Sequence, residues 1–286
     1  VEVQGKWVDP ACGSGTLLVA ALLEAKRLNL DIENLISNSI TGADLSERAL
    51  RGARLSISSL TKNLSTVAKM NLRLLHQDSL QSSHIWEAIA SNGFALVIGN
   101  PPWEKLKVTR HDVAFKRGEA TSYGEKIQYS ESLMTETSNS RLQMLEYVEK
   151  VASGKHLQGS GESDLYKLFM ELGMAICTDN GVLALLVPAG LIRSQGTYEL
   201  RRVLIQKSSS LGITVLENRQ KHFDIDIRFK FLVLAAKFST LTKSKIDLEV
   251  ADRSGNLGGK PVSISQRELM EFRPDLSLPE VRSIAD

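Results

Sequence analysis

Hydrophobic residues fall along this chain in two kinds of stretch. Short, largely apolar runs alternate with longer stretches that repeat their apolar residues at helical spacing. The short runs at 6–8, 39–43, 72–76, 94–98, 182–187, 213–216 and 229–236 predict seven strands. Helices are predicted over 16–30, over a segment capped by Ser46 in which Ala49, Leu50, Ala53, Ile57 and Leu60 share one face, and over 164–177, where Leu165, Leu168, Phe169, Leu172 and Ile176 form one stripe. Strands alternating with helices build parallel sheets, because each crossover helix lays its apolar stripe back on the sheet. The expected fold class is therefore α/β, a doubly wound, mostly parallel sheet of seven strands whose last member returns antiparallel as a hairpin.

Two regions leave this rhythm. Residues 104–162 are rich in Ser, Thr, Gly and balanced charge, and read as an insertion with a helix around 141–151. A lid or substrate-contacting loop and a plain solvated insertion fit that composition equally. From Lys237 onward the pattern weakens, with a loop at 255–261. The expected organisation is a core over 1–236 carrying the insertion at 104–162, followed by a C-terminal extension over 237–286. Asp179-Asn180-Gly181 predicts a turn ahead of the fifth strand.

Composition narrows the function only by exclusion. With 42% hydrophobic and 24% charged residues among 286, the chain can bury a substantial core. No apolar run approaches the roughly 18 residues of a membrane span, and the longest, 181–192, is interrupted by Pro188. Cys12 and Cys177 fit no metal spacing and point to a reducing compartment, and His111 and His156 are isolated, so no metal site is expected. A net charge of +2 is too small to announce a nucleic-acid partner. The chain begins at Val1 without a signal peptide's charged and apolar regions, and reads as a piece of a larger cytoplasmic protein.

The candidate chemistry gathers at strand ends. Asp9-Pro10-Ala11-Cys12-Gly13-Ser14-Gly15 follows the first strand and opens a helix, an arrangement in which glycines let a ligand approach the backbone and free helix amides face an anionic group. No glycine completes GxGxxG, which disfavours a dinucleotide. Asp9 is placed to accept from an ammonium group. Asp44 ends the second strand, as a cap or, with the glycine loop beside it, as an acceptor of ribose hydroxyls. Asp78, after the third strand, can accept from an adenine amine or cap the helix around Trp86.

After the fourth strand comes Asn100-Pro101-Pro102-Trp103, where two carbonyl oxygens and a flat indole could grip a planar group bearing an amine. A proline-rich turn is the plainer account of those four residues alone. Phe223 could cover the second face of such a ring or belong to the core. Arg193, Arg201, Arg202 and Lys207 are candidate phosphate contacts or a solvated helix face. A doubly wound sheet binds ligands at its carboxyl edge, the edge that carries Asp9, Asp44, Asp78 and Asn100.

The ordered set DPACGSG, Asp44, Asp78 and NPPW resembles the S-adenosylmethionine-dependent amino-methyltransferases, most of all the adenine-specific DNA methyltransferases of restriction-modification and phage-defence systems. The resemblance spans residues 6–236. It implies a Rossmann-like class I methyltransferase fold and S-adenosylmethionine as cofactor. Asp9, Ala11, Gly13 and Gly15 would hold its methionine part, Asp44 its ribose, and Leu45 and Asp78 its adenine. Asn100, Pro101, Pro102 and Trp103 would hold the target amine, with Phe223 the aromatic ahead of the final hairpin. The implied partners are double-stranded DNA with its target adenine flipped out and the remaining domains of a larger parent protein, in a bacterial or archaeal cytoplasm and away from membranes.

Two departures from the family pattern are expected to matter. The helix that usually precedes the glycine loop is missing from this sequence, and a target-recognition domain is missing or only begun in 237–286. The implied reaction is direct methyl transfer to an exocyclic amine without a covalent enzyme intermediate, in keeping with two cysteines outside any nucleophile's context. RNA guanine amino-methyltransferases carry a similar glycine loop and NPP motif, although the apolar Pro188 segment and the long insertion fit the DNA family better. Release-factor glutamine methyltransferases also share NPP plus an aromatic, and a non-catalytic scaffold of the same fold is a further alternative.

Overall fold

Trp7 and Val8 show how the chain makes its layers. Adjacent residues of a strand point to opposite faces, and Trp7 packs with Leu18, Ile40, Leu50 and Met70 while Val8 packs with Ala43, Trp86, Phe94 and Leu168. Each face of one sheet thus seals its own apolar cluster under helices. The computed structural model describes residues 4–81, 83–119, 130–153, 157, 164–239, 245–257 and 260–280. His156 lies outside the described residues.

The sheet has nine strands: β1 (Trp7–Asp9), β2 (Ile40–Asp44), β3 (Leu74–His76), β4 (Phe94–Gly99), β5 (Cys177–Pro188), β6 (Ser208–Glu217), β7 (Lys230–Phe238), β8 (Lys245–Val250) and β9 (Val262–Ser265). Their order is β3-β2-β1-β4-β5-β7-β6-β8-β9. β1 pairs in parallel with β2 on one side and β4 on the other, so strand order reverses between β1 and β4. In doubly wound sheets such a reversal is where ligands bind, at the carboxyl edge. β7 runs antiparallel between β5 and β6, the predicted hairpin return.

Among the described residues the helices are α1 (Thr16–Arg27), α2 (Ile32–Asn34), α3 (Glu47–Ser58), α4 (Leu64–Asn71), α5 (Ser83–Ile89), α6 (Arg110–Lys116), α7 (Glu131–Ala152), α8 (Leu165–Ile176), α9 (Tyr198–Lys207) and α10 (Gln266–Phe272). Ser46 caps α3 as predicted, its hydroxyl accepting from Ala49 N at 3.2 Å. α1 stops short of residue 30 because Asn29 adopts φ 59°, a left-handed termination that asparagine tolerates. Within 104–162 the expected helix is the longer α7. Its Tyr147 packs against the main core, while Leu133 joins Val113 and Ala114 of α6 in a small separate cluster.

Two expectations are corrected by pairing between strands. The seven strands become nine, because β8 adds in parallel to β6 and β9 closes on β8 antiparallel, with α10 following a capping box at Ser265 and Glu268. The turn predicted at 179–181 ahead of the fifth strand falls inside β5, which already begins at Cys177. Cys177 already pairs with Phe94, and the register then jumps to Leu96 and Val182 while Asn180 takes φ 64°.

The basic side chains after β5 are mostly committed within the protein. Arg201 is 2% exposed. It donates to Leu191 O at 2.8 Å, Ser194 O at 2.7 Å, Thr197 Oγ1 at 2.6 Å and Asp275 O at 2.9 Å. Arg193 pairs with Glu280 at 2.7 Å and Arg202 with Glu199 at 2.7 Å. Arg201 is therefore a clip between the β5–α9 connection and the segment after α10, not a phosphate contact. Arg201→Met keeps the side chain's length but strands buried acceptors, and is expected to lower unfolding free energy by roughly 2–3 kcal/mol in urea titrations. A midpoint equal to the parent's would refute the clip.

Candidate active site

The glycine loop is shaped by two carboxylates. Asp9, 1% exposed at the end of β1, accepts from Ala11 N at 3.0 Å. Asp44, ending β2, accepts from Gly13 N at 2.8 Å through one oxygen and from Ser46 N at 2.8 Å through the other. Gly13 has φ +53°, and a Cβ there would meet nothing within 4 Å, so its backbone faces open space. Gly15 has φ +79°, and a Cβ there would lie 3.1 Å from Ala53 Cβ. One glycine thus leaves room for a ligand and the other lets α1 approach α3. α1 begins behind Gly15 with no side-chain cap, leaving its first amides to face an anionic group.

Burial raises the Asp9 carboxyl from 3.8 to about 7, aided by the Asp44 charge and opposed by the Ala11 amide. An acid so perturbed in a crevice marks a candidate functional group. It is enclosed rather than open, so its visible task is to hold the loop. Gly99, at the end of β4, would place a Cβ 3.2 Å from Asp9 Oδ1, which is why glycine precedes Asn100.

The third strand's turn is tied to the first loop. Ser79 Oγ donates to Pro10 O at 2.5 Å, and Trp86 Nε1 donates to Ser79 O at 3.1 Å. Asp78 accepts from Leu80 N at 2.9 Å and Gln81 Nε2 at 2.6 Å, so it caps its own turn rather than α5. Tyr147 of α7 comes near it, and the Tyr147 hydroxyl is pushed up by burial and by the Asp78 charge. Sequence periodicity gave no sign that α7 would reach this edge. Beside Asp78, Gln77 buries its Nε2 without a partner. Leu45 is 67% exposed, its carbonyl accepting from His76 Nε2 at 2.9 Å.

Beyond β4, Asn100 is exposed with its amide free of hydrogen bonds among the described residues, Pro101 is buried and Pro102 half-buried. Trp103 donates from Nε1 to Leu186 O at 3.2 Å. Its ring lies 4.8 Å from Phe223 at 59°, 5.6 Å from Phe229 at 16°, and 6.1 Å from Phe231. Phe223 therefore touches Trp103 directly in this state, whereas two rings sandwiching a base stand about 7 Å apart. Phe229 is the ring that stacks. Both are held by Asn218, 0% exposed, which donates to Phe223 O at 2.9 Å and Ile225 O at 3.0 Å and accepts from Phe223 N at 2.9 Å. Phe223 stands out in the sequence as the aromatic ahead of the final hairpin; Phe229, Phe231 and the role of Asn218 do not.

Burial pushes the Cys12 thiol well up and the Cys177 thiol up to about 12, so neither is a thiolate nucleophile at neutral pH. Among the described residues no group of His, Cys, Asp and Glu could hold a metal ion, and no helix is long and apolar enough to cross a membrane.

Comparison with solved structures gives the fold a counterpart. A putative class I S-adenosylmethionine-dependent methyltransferase from Listeria monocytogenes matches at TM-score 0.51 and 18% identity, over 88% of this chain and 61% of that one. A modification subunit of a putative type I restriction enzyme from Vibrio vulnificus matches at 0.57 and 13%, over 93% and 52%. A nuclease-deletion mutant of the Type ISP restriction-modification enzyme LlaGI, in complex with a DNA substrate mimic, matches at 0.57 and 14%, over 88% and 22%. The chain thus spans between about a fifth and three fifths of these proteins' lengths. No match is found among curated protein sequences. The sequence pattern of the Eco57I restriction-modification methylases matches residues 38–223, from the approach to β2 through NPPW to Phe223. A match over roughly two thirds of the chain, on the class I methyltransferase fold, fixes its kinship: the chain belongs to the Eco57I restriction-modification methylase family.

Proposed function

We propose that this chain is the catalytic core of a DNA methyltransferase that transfers a methyl group from S-adenosylmethionine to the exocyclic amine of adenine, within a restriction-modification or phage-defence system of a bacterial or archaeal cytoplasm. The observation that carries the reading is the reversal of strand order between β1 and β4, which sets the glycine loop and Asn100 on either side of one crevice. The core would span 1–236 with 104–162 inserted, and 237–286 would lead toward a recognition region supplied by the larger parent protein.

The residues fit the cofactor. Gly13 opens a backbone cradle, the α1 amides are uncapped, and Gln77 Nε2 is a buried donor in want of an acceptor. Asp9, Ala11, Gly13 and Gly15 would hold the methionine part, Asp44 the ribose through the lone pairs its two amide bonds leave free, and Leu45 and Asp78 the adenine. When bound, S-adenosylmethionine supplies a methyl group on a positively charged sulfur. Asn100 Oδ1 and the Pro101 carbonyl would accept the two amine hydrogens of a flipped adenine, drawing the nitrogen lone pair away from the ring and toward the crevice. Pro102 stiffens that turn. Trp103 offers the stacking face, worth roughly 1–3 kcal/mol against the cost of unstacking the base. For the base to enter, Phe223 and Phe229 must draw back from Trp103.

Asp44→Ala removes the ribose acceptor and frees the Gly13 amide together. Cofactor affinity by calorimetry is expected to fall by about 10²-fold, the equivalent of two charge-assisted hydrogen bonds; affinity within threefold of the parent's would contradict the assignment.

The reaction itself is tested with the parent chain, labelled S-adenosylmethionine and a mixture of duplex DNA, RNA and protein acceptors, the product being identified by mass spectrometry after digestion. Methylated deoxyadenosine is expected. Methylguanosine or methylglutamine would keep the fold and overturn the substrate, and cofactor binding with no product would favour a scaffold.

A further inference from the structure

At the opposite, amino-terminal edge of the sheet a cavity of about 380 Å³ lies between the start of β1, the approach to β2, the end of α4 and the end of α5. Three cations line it: Lys6 ahead of β1, Lys69 in the last turn of α4, and Arg73 ahead of β3. No acidic side chain lines it, and none of the three pairs with a carboxylate among the described residues. Lys6 Nζ donates to Ile89 O, and Arg73 Nε donates to Ser37 O at 3.2 Å. Those bonds use one proton of each group and leave the other ammonium and guanidinium donors available. The two carbonyls are neutral dipoles, so the cavity keeps its positive excess.

The second observation is Thr41. It is 0% exposed near the start of β2, lines the same cavity, and its hydroxyl has no hydrogen-bond partner. A buried hydroxyl left unmade is costly, and such groups normally find a partner. Leu72, Leu75 and Ile89 supply an apolar wall. Like charges gathered without a counter-charge, a buried donor and an apolar wall together describe a pocket for an organic anion.

We propose that this cavity binds a small phosphomonoester, its doubly charged phosphate held by Lys6, Lys69 and Arg73, its oxygen reached by the Thr41 hydroxyl, and its organic part laid against Leu72, Leu75 and Ile89. The site is separated by the length of the strands from the crevice at the carboxyl edge and does not depend on the methyl-transfer reading.

The test is calorimetric titration of the full chain with inorganic phosphate and with a nucleoside 5′-monophosphate. Saturable binding of one equivalent is expected. It should weaken at least tenfold in Lys69→Glu, whose side chain is exposed and outside the core, and should persist in the presence of saturating S-adenosylmethionine and in Asp44→Ala. Thr41→Val, which removes only the unpartnered hydroxyl, is expected to melt no lower than the parent without ligand yet to gain several-fold less affinity from the phosphate. Absence of saturable binding at ligand concentrations up to about 10 mM, unchanged binding in Lys69→Glu, or competition by S-adenosylmethionine would overturn the proposal. So would binding of a 5′-phosphorylated duplex without binding of the free ester, which would give the cations to DNA.

Discussion

Asn100→Ala is expected to reduce methyl transfer by about 10²–10³-fold while leaving cofactor affinity within a few-fold of the parent's, because one preorganised hydrogen-bond group aimed at a reacting centre is worth that much in rate. The asymmetry follows from placement. Asn100 stands beyond β4, exposed and without a partner, so its removal disturbs no part of the glycine loop. Gly99 beside it is the residue whose missing side chain leaves room for Asp9, and it is unchanged in the variant. Single-turnover rates and cofactor calorimetry on the parent chain separate the two effects. If affinity fell in step with rate, Asn100 would be holding the loop rather than the amine.

Asp9→Asn is expected to make the protein more stable at neutral pH, by on the order of 4 kcal/mol at the upper limit. In the unfolded chain Asp9 loses its proton near the ordinary 3.8, whereas in the folded chain burial delays this to about 7. Below the lower value the carboxyl is protonated in both states. Between the two, only the unfolded state sheds its proton, so its contribution to stability is lost progressively as pH rises through that window and is fully gone above about 7. Asparagine can still accept from Ala11 N and never ionises. Urea midpoints should therefore coincide near pH 4 and separate by pH 8, with the variant higher; midpoints that stay together across the range would mean that Asp9 is ionised in the fold. A carboxylate kept at such a position at the expense of stability accords with a ligand that needs its charge. Raised cofactor dissociation in the same variant would join the two observations.

The aromatic cluster links the site to its surroundings. Trp103 is anchored by Leu186 of β5, and the rings that cover it come from the β6–β7 connection, whose shape Asn218 sets from a fully buried position. The surface that would receive a base is thus assembled from three separate stretches of chain.

The sequence by itself determined the strands that carry the site and the residues at their ends. Asp9, Asp44, Asp78 and Asn100 could be placed together because a parallel sheet delivers every strand end to one edge, and alternation of short apolar runs with amphipathic stretches is enough to specify such a sheet. Local chemistry likewise showed Ser46 as a cap and the glycines of 13–15 as a turn, since both are decided within a few residues. Pairing partners decided the rest. β8, interleaved with charge, and β9, interleaved with serine, are short strands that hold only because β6 offers them an edge, and the turn written in Asp179-Asn180-Gly181 falls inside β5 because Cys177 already finds Phe94 on the next strand. Arg201 read as a surface cation until the segment around Asp275 folded over it, and Asp78 gained Tyr147 from a helix more than sixty positions away. The cavity at the far edge has the same origin: Lys6, Thr41 and the Lys69–Arg73 stretch are three separate segments, and only the sheet brings their charges and the unpartnered hydroxyl to one place.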